Sequence, residues 1–178
     1  MCCGREKMPD KDRPDTVRPF EGINPWNSEG LVTTRRHLPH FEIPLATYFV
    51  TFRALKKREL SPVARDVVFR TIMDCDGDSI DVDAIVVMPD HVHAIFRLLG
   101  TIQLSRLLQR IKGGSAYRIN QILQREGSIW VEECFDRVVR NGNDLEAKIA
   151  YIRYNPVKKG LVISANDYKW LFVKDRAE

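Results

Sequence analysis

Met88-Pro89-Asp90-His91-Val92-His93-Ala94-Ile95-Phe96 contains two of the chain's four histidines, two residues apart. Strand side chains alternate between faces, so a strand that turns Val92 into a core turns His91 and His93 together off the other side. Two imidazoles aimed one way can hold a divalent metal through nitrogen. The plainer reading of a bare His-x-His is a half-exposed hairpin strand with two polar residues on its wet face. Residues 80–87 and 92–98 are β-rich runs, and Met88-Pro89-Asp90 supplies turn chemistry between them.

The rest of the chain can be read outward from this hairpin. Upstream, residues 46–53 (ATYFVTFR) are β-branched and aromatic and predict a strand. Leu60-Ser61-Pro62 predicts a helix start, with Ser61 as cap and Pro62 in the first turn, running to about Asp74. Asp76-Gly77-Asp78 is a turn, and it lacks the loop and closing glutamate of a calcium-binding EF-hand. Downstream, Leu104, Leu107, Leu108, Ile111, Ile119, Ile122 and Leu123 follow helical spacing. Gly113-Gly114 interrupts that helix, at a cost on the order of 1–2 kcal/mol relative to alanine, and marks a kink or a close approach. Residues 135–139 predict a strand. Asn143-Asp144-Leu145-Glu146 has capping-box spacing, with Asn143 as cap. The helix it opens buries Leu145, Ile149 and Ile152 and is expected to end at Pro156. The order β, α, β-hairpin, α, β, α predicts an α+β ferredoxin-like sandwich, an antiparallel sheet with its helices on one face and the other face open.

A length of 178 residues suits one domain. Residues 1–42, rich in Pro, Asp, Arg and Lys, read as a partly disordered amino-terminal arm, and residues 43–178 as the folded domain with a short tail. No run approaches the ~20 apolar residues of a membrane span. Cys2, Cys3, Cys75 and Cys134 form no CxxC pair, and the amino terminus has no apolar leader, so the expected compartment is the reducing cytoplasm. The net charge of +4 is modest but segregated. Arg106, Arg110, Lys112, Arg118 and Arg125 lie in one stretch without acids, and Lys148, Arg153, Lys158 and Lys159 in another. Together with Arg35 and Arg36 they make a basic face for a polyanion possible.

On the last helix, Tyr151 and Asn155 are four residues apart and share a face away from the apolar stripe. A tyrosine can attack phosphorus, and an amide oxygen is an acceptable ligand for a hard cation. The residue before a proline is pushed from helical geometry, which places Asn155 near a frayed end.

At this point the chain resembles a known family. His91-Val92-His93 followed by one tyrosine on a late helix resembles the HUH single-tyrosine transposases, and among them the REP-associated tyrosine transposases. The resemblance is carried by Arg35-Arg36-His37-Leu38-Pro39-His40, Thr47-Tyr48-Phe49-Val50-Thr51-Phe52-Arg53, Met88 to His93, Phe135-Asp136-Arg137-Val138-Val139-Arg140 and Tyr151-Ile152-Arg153-Tyr154-Asn155-Pro156-Val157, five blocks in order over roughly residues 33–172. It implies the HUH endonuclease fold and a metal-dependent single-strand DNA endonuclease and strand transferase. His91, His93 and Asn155 would hold Mg²⁺ or Mn²⁺, and Tyr151 would form a 5′-phosphotyrosine link at hairpin-forming repeats. Tyr154 is the competing nucleophile; Tyr48, Tyr117, His37 and His40 are not counted in the site. Arg35, Arg36, Arg106, Arg110, Lys112, Arg118, Lys158 and Lys159 are the candidate DNA contacts. The choice between monomer and homodimer stays open. Rival readings are a nucleic-acid-binding ferredoxin-like module without catalysis, and a small-substrate metal hydrolase, for which a third histidine or acidic ligand is missing.

Overall fold

The computed structural model describes residues 32–35, 39–43, 45–55 and 59–175. A two-stranded antiparallel ribbon, β1 (Val32–Arg35) and β2 (Pro39–Glu42), falls within the stretch expected to be an arm. Residues 1–31 of that stretch, together with Arg36, His37 and Leu38, lie outside the described residues.

The main sheet is built from β3 (Thr47–Ala54), β4 (Ile80–Val87), β5 (His91–Leu98), β6 (Trp130–Val138) and β7 (Leu171–Val173), in the order β6-β3-β5-β4-β7 with antiparallel pairing throughout. With helices α1 (Pro62–Met73) and α2 (Leu104–Ile122), the first four of these strands form a βαββαβ ferredoxin-like unit, as expected. The β5 strand sits in the middle of the sheet, and β7 is added beyond β4.

Strand alternation divides the sheet into two unlike faces. Tyr48, Val50, Phe52, Val82, Val92, Ala94, Phe96 and Leu98 pack against Val68 and Ile72 of α1 and Leu104, Leu107 and Ile111 of α2. Full burial of a side chain such as Phe52, 2% exposed, contributes roughly 1.5–3 kcal/mol. Polar groups within this layer are paired. Tyr48 Oη donates to Ile43 O at 3.1 Å and accepts from Ile43 N at 2.6 Å, and Trp130 Nε1 donates to Ser115 Oγ at 3.1 Å. The Gly113-Gly114 pair does not break α2. A Cβ on Gly114 would reach Thr71 Cγ2 of α1 at 4.0 Å, an ordinary helix–helix contact.

The final helix, α3 (Gly142–Lys158), corrects the expectation that all helices share one face. Leu145 and Ile152 pack on Ala84, Val86, Met88 and Ile95, the residues that alternate with the first core, so α3 covers part of the opposite face. Those inward positions on β4 and β5 are apolar on both sides, which leaves a second surface to bury. Two local details of α3 also differ. The cap is Asn141, not Asn143: its side chain accepts from Asp144 N at 2.9 Å, while Asp144 Oδ2 accepts from Arg140 N at 3.0 Å. Local sequence allows both caps, and burial of Leu145 selects the earlier one. Pro156 lies inside the helix, which continues to Lys158. A proline there removes one backbone donor, but Pro156 is buried and Lys159 N still closes the last turn on Asn155 O at 3.1 Å. Asn155 is therefore helical and not frayed.

The carboxyl-terminal segment is clasped to α1. Arg65 lies 3.7 Å over the Trp170 ring and donates to Tyr168 Oη at 3.1 Å, and Tyr168 Oη donates to Val87 O at 2.9 Å. Among the described residues no helix is long and apolar enough to cross a membrane.

Candidate active site

The site begins with the β4–β5 turn. Leu60 N donates to Pro89 O at 2.6 Å, Ala54 N to Asp90 O at 2.9 Å and Met88 N to His91 O at 2.8 Å, so the turn is tied to both β3 and the start of α1. Val92 is fully buried in the first core, and this sends His91 and His93 to the α3 side. They are 8% and 6% exposed, with ring centroids 4.7 Å apart.

Each imidazole is held by its Nδ1. Asp90 Oδ1 accepts from His91 Nδ1 at 2.7 Å, and Thr51 Oγ1 lies 2.7 Å from His93 Nδ1. A neutral imidazole that donates from Nδ1 keeps a lone pair on Nε2, the arrangement in which outer partners orient metal-binding histidines. Burial, reinforced by the charges of His91 and Arg53 and partly offset by Asp90, lowers the His93 pKa to about 3, so its ring is neutral at physiological pH. Burial would raise the Asp90 pKa, but the His91 hydrogen bond and the charges of His91 and Lys159 hold it below the ordinary carboxylate value.

Tyr151 enters from α3. Its Oη is 3.4 Å from His93 Nε2, and its ring meets that of His93 edge-on at 5.1 Å. Phe49 stacks on His93 at 5.5 Å and touches Tyr151 edge-on at 6.3 Å, completing an aromatic wall. Tyr151 stays 47% exposed, open to a large substrate. Tyr154 is 60% exposed and makes no ring contact among the described residues. Of the two tyrosines weighed from sequence, Tyr151, the one favoured by the resemblance, is the one that meets His93.

No cluster of three or more His, Cys, Asp or Glu side chains able to hold a metal occurs among the described residues. A third ligand beside the two imidazoles would come from another residue type, and Asn155 is the candidate on α3. Tyr151 touches His93, and the charge of Lys159 acts on Asp90 beside His91. Asn155 lies on α3 midway in sequence between Tyr151 and Lys159 and is 6% exposed. Two imidazole nitrogens and one amide oxygen suit a divalent cation.

The candidate DNA contacts are dispersed. Lys158 and Lys159 are exposed at the end of α3, and the charge of Lys159 reaches Asp90 beside His91. Arg106 and Arg110 are exposed on α2, across the sheet from Tyr151. Lys112 donates to Glu132 O at 2.6 Å, and Arg118 to Asp74 Oδ2 at 3.3 Å, so both hold neighbouring elements. Arg35 is in β1. Thr51, Phe49 and Asp90 were missed from sequence. Strand period places Phe49 and Thr51 on one face, but only pairing register brings them to His93.

The profile of the family described as "Transposase IS200 like" matches residues 55–155, more than half of the chain. The chain belongs to this family. A Haemophilus influenzae protein named as a REP-associated tyrosine transposase is 26% identical over 106 residues, which cover 54% of this chain and 60% of that relative's length. Among solved structures, a REP-associated tyrosine transposase bound to a REP hairpin superposes with a TM-score of 0.62 at 22% identity, over 77% of this chain and 82% of that one, and so shares the fold. These relatives agree with the resemblance carried by the five sequence blocks.

Proposed function

We propose that this IS200-like protein is a metal-dependent endonuclease and strand transferase that cuts single-stranded DNA beside hairpin-forming repeats through a 5′-phosphotyrosine link, in the cytoplasm. The observation that carries the reading is the 3.4 Å approach of Tyr151 Oη to His93 Nε2, between residues 58 positions apart in the chain. A structural neighbour with this fold was solved with a REP hairpin, which supports the same class of DNA here.

His91, His93 and Asn155 would hold Mg²⁺ or Mn²⁺, which when bound supplies Lewis-acid polarisation of the scissile phosphate. Tyr151 Oη attacks phosphorus in line. The Oη–P bond forms, the P–O3′ bond breaks, the phenolic proton passes to water and the departing oxygen becomes a free 3′-OH. That hydroxyl, or one from another strand, later attacks the same phosphorus and returns Tyr151 to its free form. Because a phosphodiester is exchanged for a phosphotyrosine ester, no nucleotide hydrolysis is needed. Phe49 fixes the plane of His93, and Thr51 and Asp90 fix the two ring orientations. Arg106, Arg110, Lys112 and Arg118 would line a track for the DNA backbone, Lys158 and Lys159 would add phosphate contacts, and Arg35 and Arg36 would reach the hairpin.

Incubation with Mg²⁺ or Mn²⁺ and hairpin-bearing single-stranded DNA, followed by a denaturing gel, tests this reading. The expected result is a covalent adduct abolished in Tyr151→Phe and retained in Tyr154→Phe. Binding without any adduct would leave a nucleic-acid module, and loss in Tyr154→Phe alone would move the nucleophile.

A further inference from the structure

The row of side chains holding His93 continues past Thr51 to the edge of the sheet. Thr51 pairs with His93 on one side and with Phe135 of β6 on the other. Directly paired residues point to the same face, so His93, Thr51 and Phe135 lie in line. Two strand spacings separate the outer pair, about 10 Å. Phe135 is 51% exposed and belongs to neither core cluster. An aromatic ring left bare on the catalytic face, on an edge strand, contributes little to folding.

Its surroundings are basic. Arg53, exposed, pairs with His91, and Arg137, half-buried, pairs with Phe49. Lys148 Nζ lies 5.5 Å from the Phe49 ring centroid. Alternation along β6 turns Glu133 to this face as well, and Asp144 is engaged by Lys148 at 2.7 Å. Aromatic rings interleaved with cations are the features that bind single-stranded nucleic acid, the cations meeting phosphates and the rings meeting bases. A protein surface would meet an edge strand by backbone pairing, for which an arginine on each side of the ring is of no use.

We infer that Phe135 is a stacking platform for a nucleobase of the single-stranded DNA next to the cut phosphate, with Arg53 holding the backbone between that base and Tyr151. This rests on the single-strand DNA reading but not on the covalent chemistry. It can therefore be measured in a Tyr151→Phe background, where nothing is cut.

The probes are two synthetic DNA strands folding into the same hairpin. One has oligothymidine tails on both sides of the stem foot, and the other has tails of abasic deoxyribose phosphate. Phe135→Ala should weaken binding to the first between about 5- and 150-fold, the range for loss of one base–aromatic stack, and leave binding to the second unchanged. Phe135→Trp should keep the preference for bases. Arg53→Ala should weaken both alike and lower the salt dependence by about one phosphate contact. Equal binding by Phe135→Ala and its parent, or an equal loss on both probes, overturns the inference. So does a self-association seen by sedimentation that Phe135→Ala abolishes without affecting DNA binding. A wild-type adduct without a base preference would leave the chemistry standing and remove the platform; a base preference without an adduct would do the reverse.

Discussion

Alternate residues of the same strands make the two faces of this sheet, and the faces do different work. On the face covered by α1 and α2, Val50, Phe52, Val92, Ala94 and Phe96 form an unbroken apolar layer. On the other, Ile95 and Val86 are apolar beneath Leu145 and Ile152, but the same face continues into His93 and His91 of β5 and Thr51 and Arg53 of β3. A shift of one residue in the β3–β5 pairing would exchange the two sets, so the first core fixes the register that the site needs. The proposed site lies on the part of the second face that α3 covers incompletely. There a tyrosine can be near an imidazole and still be half open to substrate.

The sharpest way to break this division is to remove one ring from each face. Phe52→Ala should cost roughly 3–5 kcal/mol in urea unfolding, the usual loss for a buried aromatic, while its folded fraction keeps its turnover number. His93→Ala should lower DNA cleavage by roughly 10³-fold or more, yet cost no more than about 2 kcal/mol of stability. If both variants lose stability and activity in proportion, the faces are not separate.

A smaller effect is expected from Thr51, which joins the two ideas by orienting His93 from the neighbouring strand. Thr51→Val should lower Mn²⁺ affinity by roughly 10- to 100-fold, as for other outer partners of metal-binding histidines, with little change in unfolding midpoint. Titration calorimetry without DNA reads this directly, and an unchanged affinity would show that Phe49 stacking alone holds the ring.

The smallest effect tests the far edge of the second face. The Lys174 hydrogen bond at 2.6 Å, opposed by burial and aided by Arg97, lowers the Asp81 pKa. A carboxylate with a depressed folded pKa stabilises the protein above its unfolded value of about 4. That contribution is lost as pH falls through the folded pKa. Asp81→Asn should therefore unfold slightly more easily at pH 7, by under about 1 kcal/mol, and lose less stability than its parent between pH 5 and 3. Identical acid profiles would mean the pair contributes nothing.

Much of this could be read without coordinates because local chemistry leaves periodic traces. Residues 46–53 alternate, Ser61-Pro62 opens a helix, and the His91-Val92-His93 pair places its imidazoles opposite a buried valine; each survives because a single element suffices to specify it. The same holds for α2, whose apolar spacing outweighs two glycines. Edge features were harder. The first half of β6, Trp130 to Cys134, was missed because Glu132 and Glu133 interrupt its apolar pattern, and β7 because three residues carry no period.

Sequence by itself determined the four-residue interval between Tyr151 and Asn155, the shared face of the two histidines and the βαββαβ order, since all are consequences of chain geometry within one element or between successive ones. Tertiary structure alone decided which side of the sheet α3 would cover, that Pro156 would be carried within a helix, and how closely Tyr151 would approach His93. Those outcomes depend on burying Leu145 and Ile152 against a second apolar surface formed by strands distant in the chain, and no local pattern encodes which of two faces will receive them.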